Sequence, residues 1–188
     1  MTRTFSILAS LIVLLLAATF TAGFLTLGMD GWAGEGAAAE WQRDVYLVHF
    51  FLGLCSALVI LLVHCLIFTY FLGTGRWVKE VTLAYALPDE PWHKETRELK
   101  RWTFPPALSA MLVTIATAAA GAGAQLREWP WPVHATLGVV TLLVNLWAFR
   151  VEYRNVHRNA EVLDEVLRET DRMRAERGLP SNAEALRE

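Results

Sequence analysis

The chain has 188 residues, a mean hydropathy of +0.33 and a hydrophobic share of 54%. Soluble domains usually hold about 45–50%, and here the excess is gathered into four long runs, which excludes an ordinary soluble enzyme and a disordered chain. With 17 basic against 19 acidic side chains, the formal net charge of −2 gives no support for binding nucleic acid.

The first apolar run covers residues 5–27 and carries no charge. It is long enough to cross a hydrocarbon core of about 30 Å. The basic start at Arg3 and the small residues at 21–23 are also typical of a cleavable signal peptide. Because the run is longer than the apolar part of such a peptide, we interpret it as the first spanning helix.

Three further runs, at 45–75, 104–124 and 133–149, complete an all-α bundle of four transmembrane helices. The second exceeds the length that a span requires, so it either tilts or projects its last turns into water. We therefore divide the chain into a transmembrane domain, 1–150, and a cytoplasmic amphipathic helix and tail, 151–188.

Basic residues predict the orientation of the bundle, because cytoplasmic loops are enriched in Lys and Arg. They concentrate between the second and third runs and after the fourth: Arg76, Lys79, Lys94, Arg97, Lys100, Arg101, Arg150, Arg154 and Arg158. The other two loops hold only Arg43 and Arg127. We expect a multi-pass protein of a bacterial-type inner (cytoplasmic) membrane, with both termini in the cytoplasm.

Beyond Arg150 the apolar residues recur at spacings of three, four and seven, and the first firm helix terminators are Gly178 and Pro180. This pattern predicts that the fourth helix continues past the membrane. Its apolar stripe is expected to pack either on the 76–101 segment of the same chain or on another subunit of a homo-oligomer.

A short motif, V-H-x-x-L-G, opens both the second and the fourth helix: Val48–Gly53 reads VHFFLG and Val133–Gly138 reads VHATLG. Both helices cross the membrane in the same direction, so the match predicts two tandem helical hairpins, a parallel repeat. The same duplication places Phe149 opposite His64.

Histidines at matched positions are the strongest functional signal, because an ionisable group inside a bilayer is costly. His49 and His134 begin parallel helices at similar depth. If those helices are neighbours, the two neutral imidazoles can ligate one haem iron from opposite sides.

Glycines lie at the same level. Gly53 and Gly138 each follow their histidine by four residues, on the same helix face, and Gly121 and Gly123 end the third helix at that depth. They are expected to let a flat macrocycle lie against the backbone. The alternative is that they form close helix–helix contacts of the small-residue kind.

Two basic residues lie just outside the haem level. Arg43 and Arg127 are the candidates for contacting the haem propionates. Each could instead pair locally, with Asp44 and Glu128 respectively.

His64 follows His49 by fifteen residues, on broadly the same helix face and about 22 Å deeper. It could hold a second haem, with Met111 as a conceivable partner, so the expected cofactor is one haem b or two. The alternative is that His64 is hydrogen-bonded to Asn145 or to a threonine.

With V-H-x-x-L-G opening two parallel membrane helices, the four spans resemble small four-helix membrane b-type cytochromes of the cytochrome b561-like kind. The resemblance implies haem ligation by His49 and His134 and transmembrane electron transfer, involving a quinone or a redox partner subunit. Members with two haems use four membrane histidines, and this chain lacks the fourth. An electron-transfer protein or oxidoreductase subunit is expected, rather than a stand-alone enzyme.

Two other functions fit the same residues. One is a non-catalytic membrane scaffold or assembly subunit that recruits a partner through its cytoplasmic helix; the other is a chlorophyll-type pigment protein. No G-x-S-x-G, H-E-x-x-H or C-x-x-C motif is present, which leaves hydrolase, zinc-protease and thiol-redox functions without support. Cys55 and Cys65 are about 15 Å apart along one helix, too far for a disulfide.

Overall fold

A computed structural model of the chain describes residues 2–27, 37–126 and 128–185. These residues form four long helices and one short one, without a strand: α1 (Thr2–Leu27), α2 (Ala37–Ala84), α3 (Trp92–Gln125), α4 (Trp131–Glu176) and α5 (Asn182–Ala185). The prediction of an all-α four-helix bundle is confirmed.

The four long helices surround a common core. Helix α3 packs most extensively on α4, and α2 lies between α1 and α3, while α4 closes the ring by contacting α1. Helices α2 and α4 therefore face each other across a diagonal of the bundle and meet only through their inward side chains. They begin at the same end, here called the histidine end; the opposite end, which holds residues 85–91, is the loop end.

All four long helices are long and apolar enough to cross a membrane. Large aliphatic side chains cover the outside of the bundle, among them Leu14, Leu58 and Leu143, which are 67%, 59% and 61% exposed. In water such a surface would be unfavourable, whereas lipid tails solvate it. The protein is therefore a multi-pass membrane protein whose outer surface fits a lipid bilayer.

Several helices extend beyond their apolar runs. Helix α2 continues to Ala84, past the predicted end at 75, and α3 begins at Trp92, before the predicted start at 104. Pro105 and Pro106 lie inside α3, where each removes a backbone donor. The helices continue beyond their apolar runs because their polar extensions pack on one another. Hydropathy alone does not reveal this packing.

Helix α4 runs on to Glu176, well past the predicted end of the fourth apolar run at 149. The chain turns just after it at Gly178, whose φ of +70° is in the left-handed region that glycine adopts without a steric penalty. Helix α4 therefore ends just before Gly178, the first helix terminator that the sequence predicts.

The continuation packs on its own chain. Arg158 donates two hydrogen bonds to the Glu95 carboxylate, at 2.6 and 2.9 Å, and Arg174 donates to the Tyr85 hydroxyl at 3.2 Å. The sequence predicts that this segment packs either on residues 76–101 of the same chain or on another subunit. The structure shows contacts with residues 76–101.

The apolar core is concentrated where α1 begins. It contains Phe5, Ile12, Ile60, Val63, Ile67, Phe71, Phe149 and Val156. Phe5 meets Phe149 edge-on, with ring centroids 6.3 Å apart. This core anchors α1 to α2 and α4, and thereby fixes the spacing of the two diagonal helices.

Candidate functional site

His49 on α2 and His134 on α4 meet across the bundle at the histidine end. Their ring centroids are 6.0 Å apart and their planes are inclined by 72°. Both side chains are half-buried. The structure thus brings together the two residues that the V-H-x-x-L-G motif selects.

Each imidazole is held by a backbone carbonyl of the neighbouring helix. The Nδ1 atom of His49 lies 3.0 Å from the carbonyl oxygen of Thr19, and Nδ1 of His134 lies 3.0 Å from that of Thr117. A carbonyl oxygen only accepts, so each ring carries its hydrogen on Nδ1. In the neutral ring the lone pair is then on Nε2, the nitrogen that remains for a ligand.

A glycine lies behind each ring. A Cβ atom built on Gly23 would lie 2.7 Å from Cε1 of His49, and one built on Gly121 would lie 2.9 Å from Cε1 of His134. Both distances are too short for a side chain, so each ring packs directly on glycine backbone. Gly121 thus supports the histidine itself, whereas the sequence predicted that it faces the macrocycle.

The other predicted glycines have different surroundings. A Cβ on Gly123 would lie 3.1 Å from the Trp129 ring, and one on Gly53 would contact only a Thr19 methyl, at 3.8 Å. At Gly138 no described atom lies within 4 Å of the added Cβ. The close helix–helix contact that is the alternative for such glycines is therefore not formed at Gly138.

Helices α1 and α3 carry the same threonine contact, which the sequence did not predict. The Thr19 hydroxyl donates to the Leu15 carbonyl at 2.8 Å, and the Thr117 hydroxyl donates to the Val113 carbonyl at 2.8 Å. These threonines are the residues whose own carbonyls hold the two histidines.

A second matched contact joins each threonine to the helix that carries its histidine. The Thr19 hydroxyl lies 2.9 Å from that of Ser56, and the Thr117 hydroxyl lies 2.6 Å from that of Thr141. Ser56 and Thr141 each follow their histidine by seven residues. In the sequence, this repeat is visible as two T-x-x-x-G spacings, from Thr19 to Gly23 and from Thr117 to Gly121.

Of the two arginines expected at the site, the structure describes only Arg43. Arg43 lies 3.8 Å from the Asp44 carboxylate, with both side chains about two-thirds exposed (69% and 66%). This is the local pairing given as the alternative. Arg127 lies outside the described residues.

His64 is fully buried and has both ring nitrogens engaged. Its Nδ1 lies 2.7 Å from Oε1 of Glu152, and its Nε2 lies 3.2 Å from Oδ1 of Asn145. Its ring stacks on Phe149 at 5.3 Å, so the two residues that the duplication places opposite each other do meet. Hydrogen bonding to Asn145, the alternative to a second haem, is the arrangement found, and half-buried Met111 is not needed to account for His64.

The described residues contain no cluster of three or more His, Cys, Asp or Glu side chains that could hold a metal ion. Cys55 and Cys65 are free and exposed on the bundle surface. Among the described residues, His49 and His134 are therefore the two candidate protein ligands for a metal at the histidine end.

Comparison with known proteins identified no relative: no family model, no curated protein and no solved structure matches the chain. The geometry of the paired histidines is thus the basis for the functional proposal below.

Proposed function

We propose that the protein is a membrane b-type cytochrome that binds haem b between His49 and His134 and transfers single electrons. The observation that carries this proposal is the meeting of two imidazoles, one from each diagonal helix, whose Nδ1 atoms are both satisfied by backbone carbonyls.

The spacing of the rings fits axial ligation. An imidazole nitrogen binds a metal at about 2.0–2.1 Å, and the ring centre lies about 1.1 Å further on, so two imidazoles on one iron have centres roughly 6.3 Å apart. The centroids of His49 and His134 are 6.0 Å apart. The separation of the two rings is thus of the size that two imidazoles on one iron require.

The number of protein ligands also favours haem. A structural or catalytic site for a bare metal ion needs three or four protein ligands, and the described residues offer no such cluster. Haem brings its own equatorial nitrogens and needs only axial ligands from the protein. Two facing histidines meet that requirement.

The backbone contacts support the same function. A metal-ligating histidine commonly donates its other N–H to a carbonyl, which fixes the tautomer and increases the basicity of the ligating nitrogen. The carbonyls of Thr19 and Thr117 accept these hydrogen bonds. These carbonyls hold each ring in place before a cofactor binds, so less side-chain entropy is lost when it binds.

Bound haem would supply one-electron exchange, with a potential set by axial ligation, burial and nearby hydrogen bonds. The role of this chain is to hold the group in the membrane at the histidine end. The basic loops favour an inner-membrane orientation with that end on the outer side. We propose Arg43 and Arg127 as the basic residues for the propionates, and a quinone or a redox subunit as the electron partner.

The matched Thr–Gly–His sets also support tandem hairpins. Each hairpin contributes one threonine carbonyl, one glycine and one histidine in the same relative arrangement. Each hairpin would thus supply one of the two histidines that hold the haem.

One observation favours the second candidate, a membrane scaffold that recruits a partner. An apolar groove of about 300 Å³ lies between the polar extensions of α2 and α4, lined by Gly73, Thr74, Trp77, Leu163 and Leu167. Such a function would not need the histidine pair, so a spectrum separates the two candidates.

The test is the visible absorption spectrum of the purified protein after expression with haem available. We expect a Soret band and sharp reduced-minus-oxidised α and β bands, which His49→Ala and His134→Ala each abolish without preventing membrane insertion. His157→Ala is the matched control, because this side chain is exposed on α4 beyond the core. Full haem occupancy in His134→Ala would contradict the ligand assignment, and a protein without haem bands would favour the scaffold. Absorption far to the red would indicate a pigment.

A further inference from the structure

His64 and Glu152 form an ion-pair-like contact in the centre of the bundle. Their side chains are both 0% exposed, and Nδ1 of His64 lies 2.7 Å from Oε1 of Glu152. The neighbouring Phe149, Ile60 and Val156 are also buried. A charge is costly in such surroundings unless it is paired.

Asn145 fixes the position of one proton on His64. Its Nδ2 donates to the Thr141 carbonyl at 2.9 Å and to the Thr114 hydroxyl at 3.3 Å. Since a carbonyl only accepts, the atom facing it is the amide nitrogen, and the atom facing His64 is Oδ1. The Nε2 atom of His64 must therefore carry a hydrogen and donate it to Asn145.

A second proton must then lie between His64 and Glu152. With the ring hydrogen on Nε2, the Nδ1 atom of a neutral ring is a lone-pair acceptor, as is an ionised carboxylate. Two acceptors cannot hydrogen-bond at 2.7 Å. Either Nδ1 is protonated or Oε1 is, and in both cases the pair is neutral as a whole. Removing this proton leaves a net negative charge in the core.

No other charged group contacts the pair within the described part of the chain. The side chains that pack around it from α1, α2 and α3 are mainly apolar or hydroxyl groups, including Phe5, Val63 and Thr114. The titratable groups closest along each helix are exposed, half-buried or bonded elsewhere: Arg3 on α1, Cys65 and Tyr70 on α2, Lys100 and Arg101 on α3, and Arg150, Tyr153 and Arg154 on α4. Within the described residues, the proton is thus the only counter-charge available to the Glu152 carboxylate.

Asn159 extends the polar side chains toward the loop end. Asn145, Glu152 and Asn159 follow one another at intervals of seven on one face of α4, and all three are fully buried; we call them the polar seam. The Asn159 amide donates to the Tyr70 and Thr74 hydroxyls at 3.0 and 3.1 Å. Two acceptors on the seam, Oε2 of Glu152 and Oδ1 of Asn159, have no hydrogen-bond partner among the described residues.

These two acceptors belong to residues about 10.5 Å apart along the helix axis, and a buried acceptor without a donor costs free energy. A hydronium or water molecule that donates to each would relieve that cost. Asn159 lies on the loop-end side of Glu152 and is itself fully buried, so a proton that exchanges with solvent at that end would have to pass it.

We propose that His64 and Glu152 form a buried proton-binding site that exchanges its proton with solvent at the loop end, past Asn159. Binding converts an anionic imidazole–carboxylate pair and one proton into a neutral pair that shares the proton between Nδ1 and Oε1. The site requires no haem, so its test is independent of the proposed electron-transfer function.

The first experiment is a pH-difference infrared titration of the purified full-length protein without haem. We expect a protonated pair at neutral pH, seen as a carboxyl or an imidazolium band, which is lost in one step as the pH rises. Glu152→Gln should remove the whole change, and it is nearly isosteric. Labelling the glutamates with ¹³C in the unmutated protein assigns the carboxyl or carboxylate band independently of that variant. A Glu152 that remains an ionised carboxylate beside a neutral ring throughout would overturn the proposal.

The second experiment tests the route. Asn159→Leu removes the polar group between the pair and the loop end, so we expect proton exchange at the pair to slow by at least about tenfold, the ratio that corresponds to 1.4 kcal/mol. Asn155→Leu is the matched control, because this asparagine is on the same helix but bonds to Thr103. Equal exchange rates in the Asn159 and Asn155 variants, both checked for helical content, would contradict access along the polar seam.

Discussion

The glycines behind the two histidines give a sharp test of the haem site. In Gly23→Ala the new Cβ would lie 2.7 Å from Cε1 of His49, and in Gly121→Ala it would lie 2.9 Å from Cε1 of His134. Ordinary contacts begin near 3.4 Å, so the rings must retreat by about 0.7 and 0.5 Å respectively, whereas metal–ligand distances tolerate about 0.2 Å.

The expected effect on haem affinity follows from that displacement. Moving the ring also strains the hydrogen bond from Nδ1 of His49 to the Thr19 carbonyl. Disturbing such a supporting contact typically costs 10–100-fold in metal affinity, or about 1.4–2.7 kcal/mol. We expect a loss in this range for Gly121→Ala and a larger one for Gly23→Ala.

The assay is a haem titration of the apoprotein in detergent, followed by Soret absorbance. Alanine is the better helix former by roughly 0.5–1 kcal/mol, so neither variant should lose helical content. Gly73→Ala is the matched control, because no described atom lies within 4 Å of its added Cβ and it is far from the histidines. Wild-type haem affinity in Gly23→Ala would refute the reasoning that His49 is an axial ligand held against this glycine.

Four further outcomes follow from the same contacts. Gly138→Ala should weaken haem binding although no described atom lies within 4 Å of the added Cβ, and an unchanged titration would mean that this face contacts lipid instead. His64→Phe should keep full haem occupancy, because both ring nitrogens of His64 are already engaged. Loss of half the haem would instead show that His64 holds a second haem. Asn145→Leu leaves the buried His64 N–H without an acceptor and should lower the free energy of unfolding by about 1–3 kcal/mol, measured by denaturation in detergent. The hydrogen bond from His93 lowers the pKa of the Asp89 carboxyl. This contact therefore stabilises the fold at pH values above the ordinary carboxylate range, and the stabilisation is lost as the pH falls through the lowered pKa. In thermal melts, Asp89→Asn should remove that part of the acid dependence.

Much of the architecture could be predicted because it depends on local patterns. Apolar runs of spanning length identify the four helices, and the V-H-x-x-L-G motif selects the two histidines that meet. The repeat even places Phe149 on His64. These features need only helix periodicity and the parallel course of α2 and α4.

The support of the histidines could not be predicted in the same way. Each imidazole bonds to a backbone carbonyl, and every residue has one, so the sequence does not mark which will accept. Gly23 lies in an apolar run where small residues are common, and only the packing of α1 on α2 gives it a role. The contact between His64 and Glu152 is a tertiary feature as well, which the sequence does not predict. Glu152 follows the predicted end of the span at 149, where a carboxylate is expected to face water, yet its side chain is buried in the core.

The central claim is that His49 and His134 ligate one iron, and the electron paramagnetic resonance spectrum of the oxidised, haem-loaded protein tests it most directly because it responds to both axial ligands. We expect a low-spin ferric signal typical of two imidazoles, converted to a different spin state by substituting either histidine. A high-spin signal in the unmutated protein, or a low-spin signal that survives in His49→Ala and in His134→Ala, would contradict the claim.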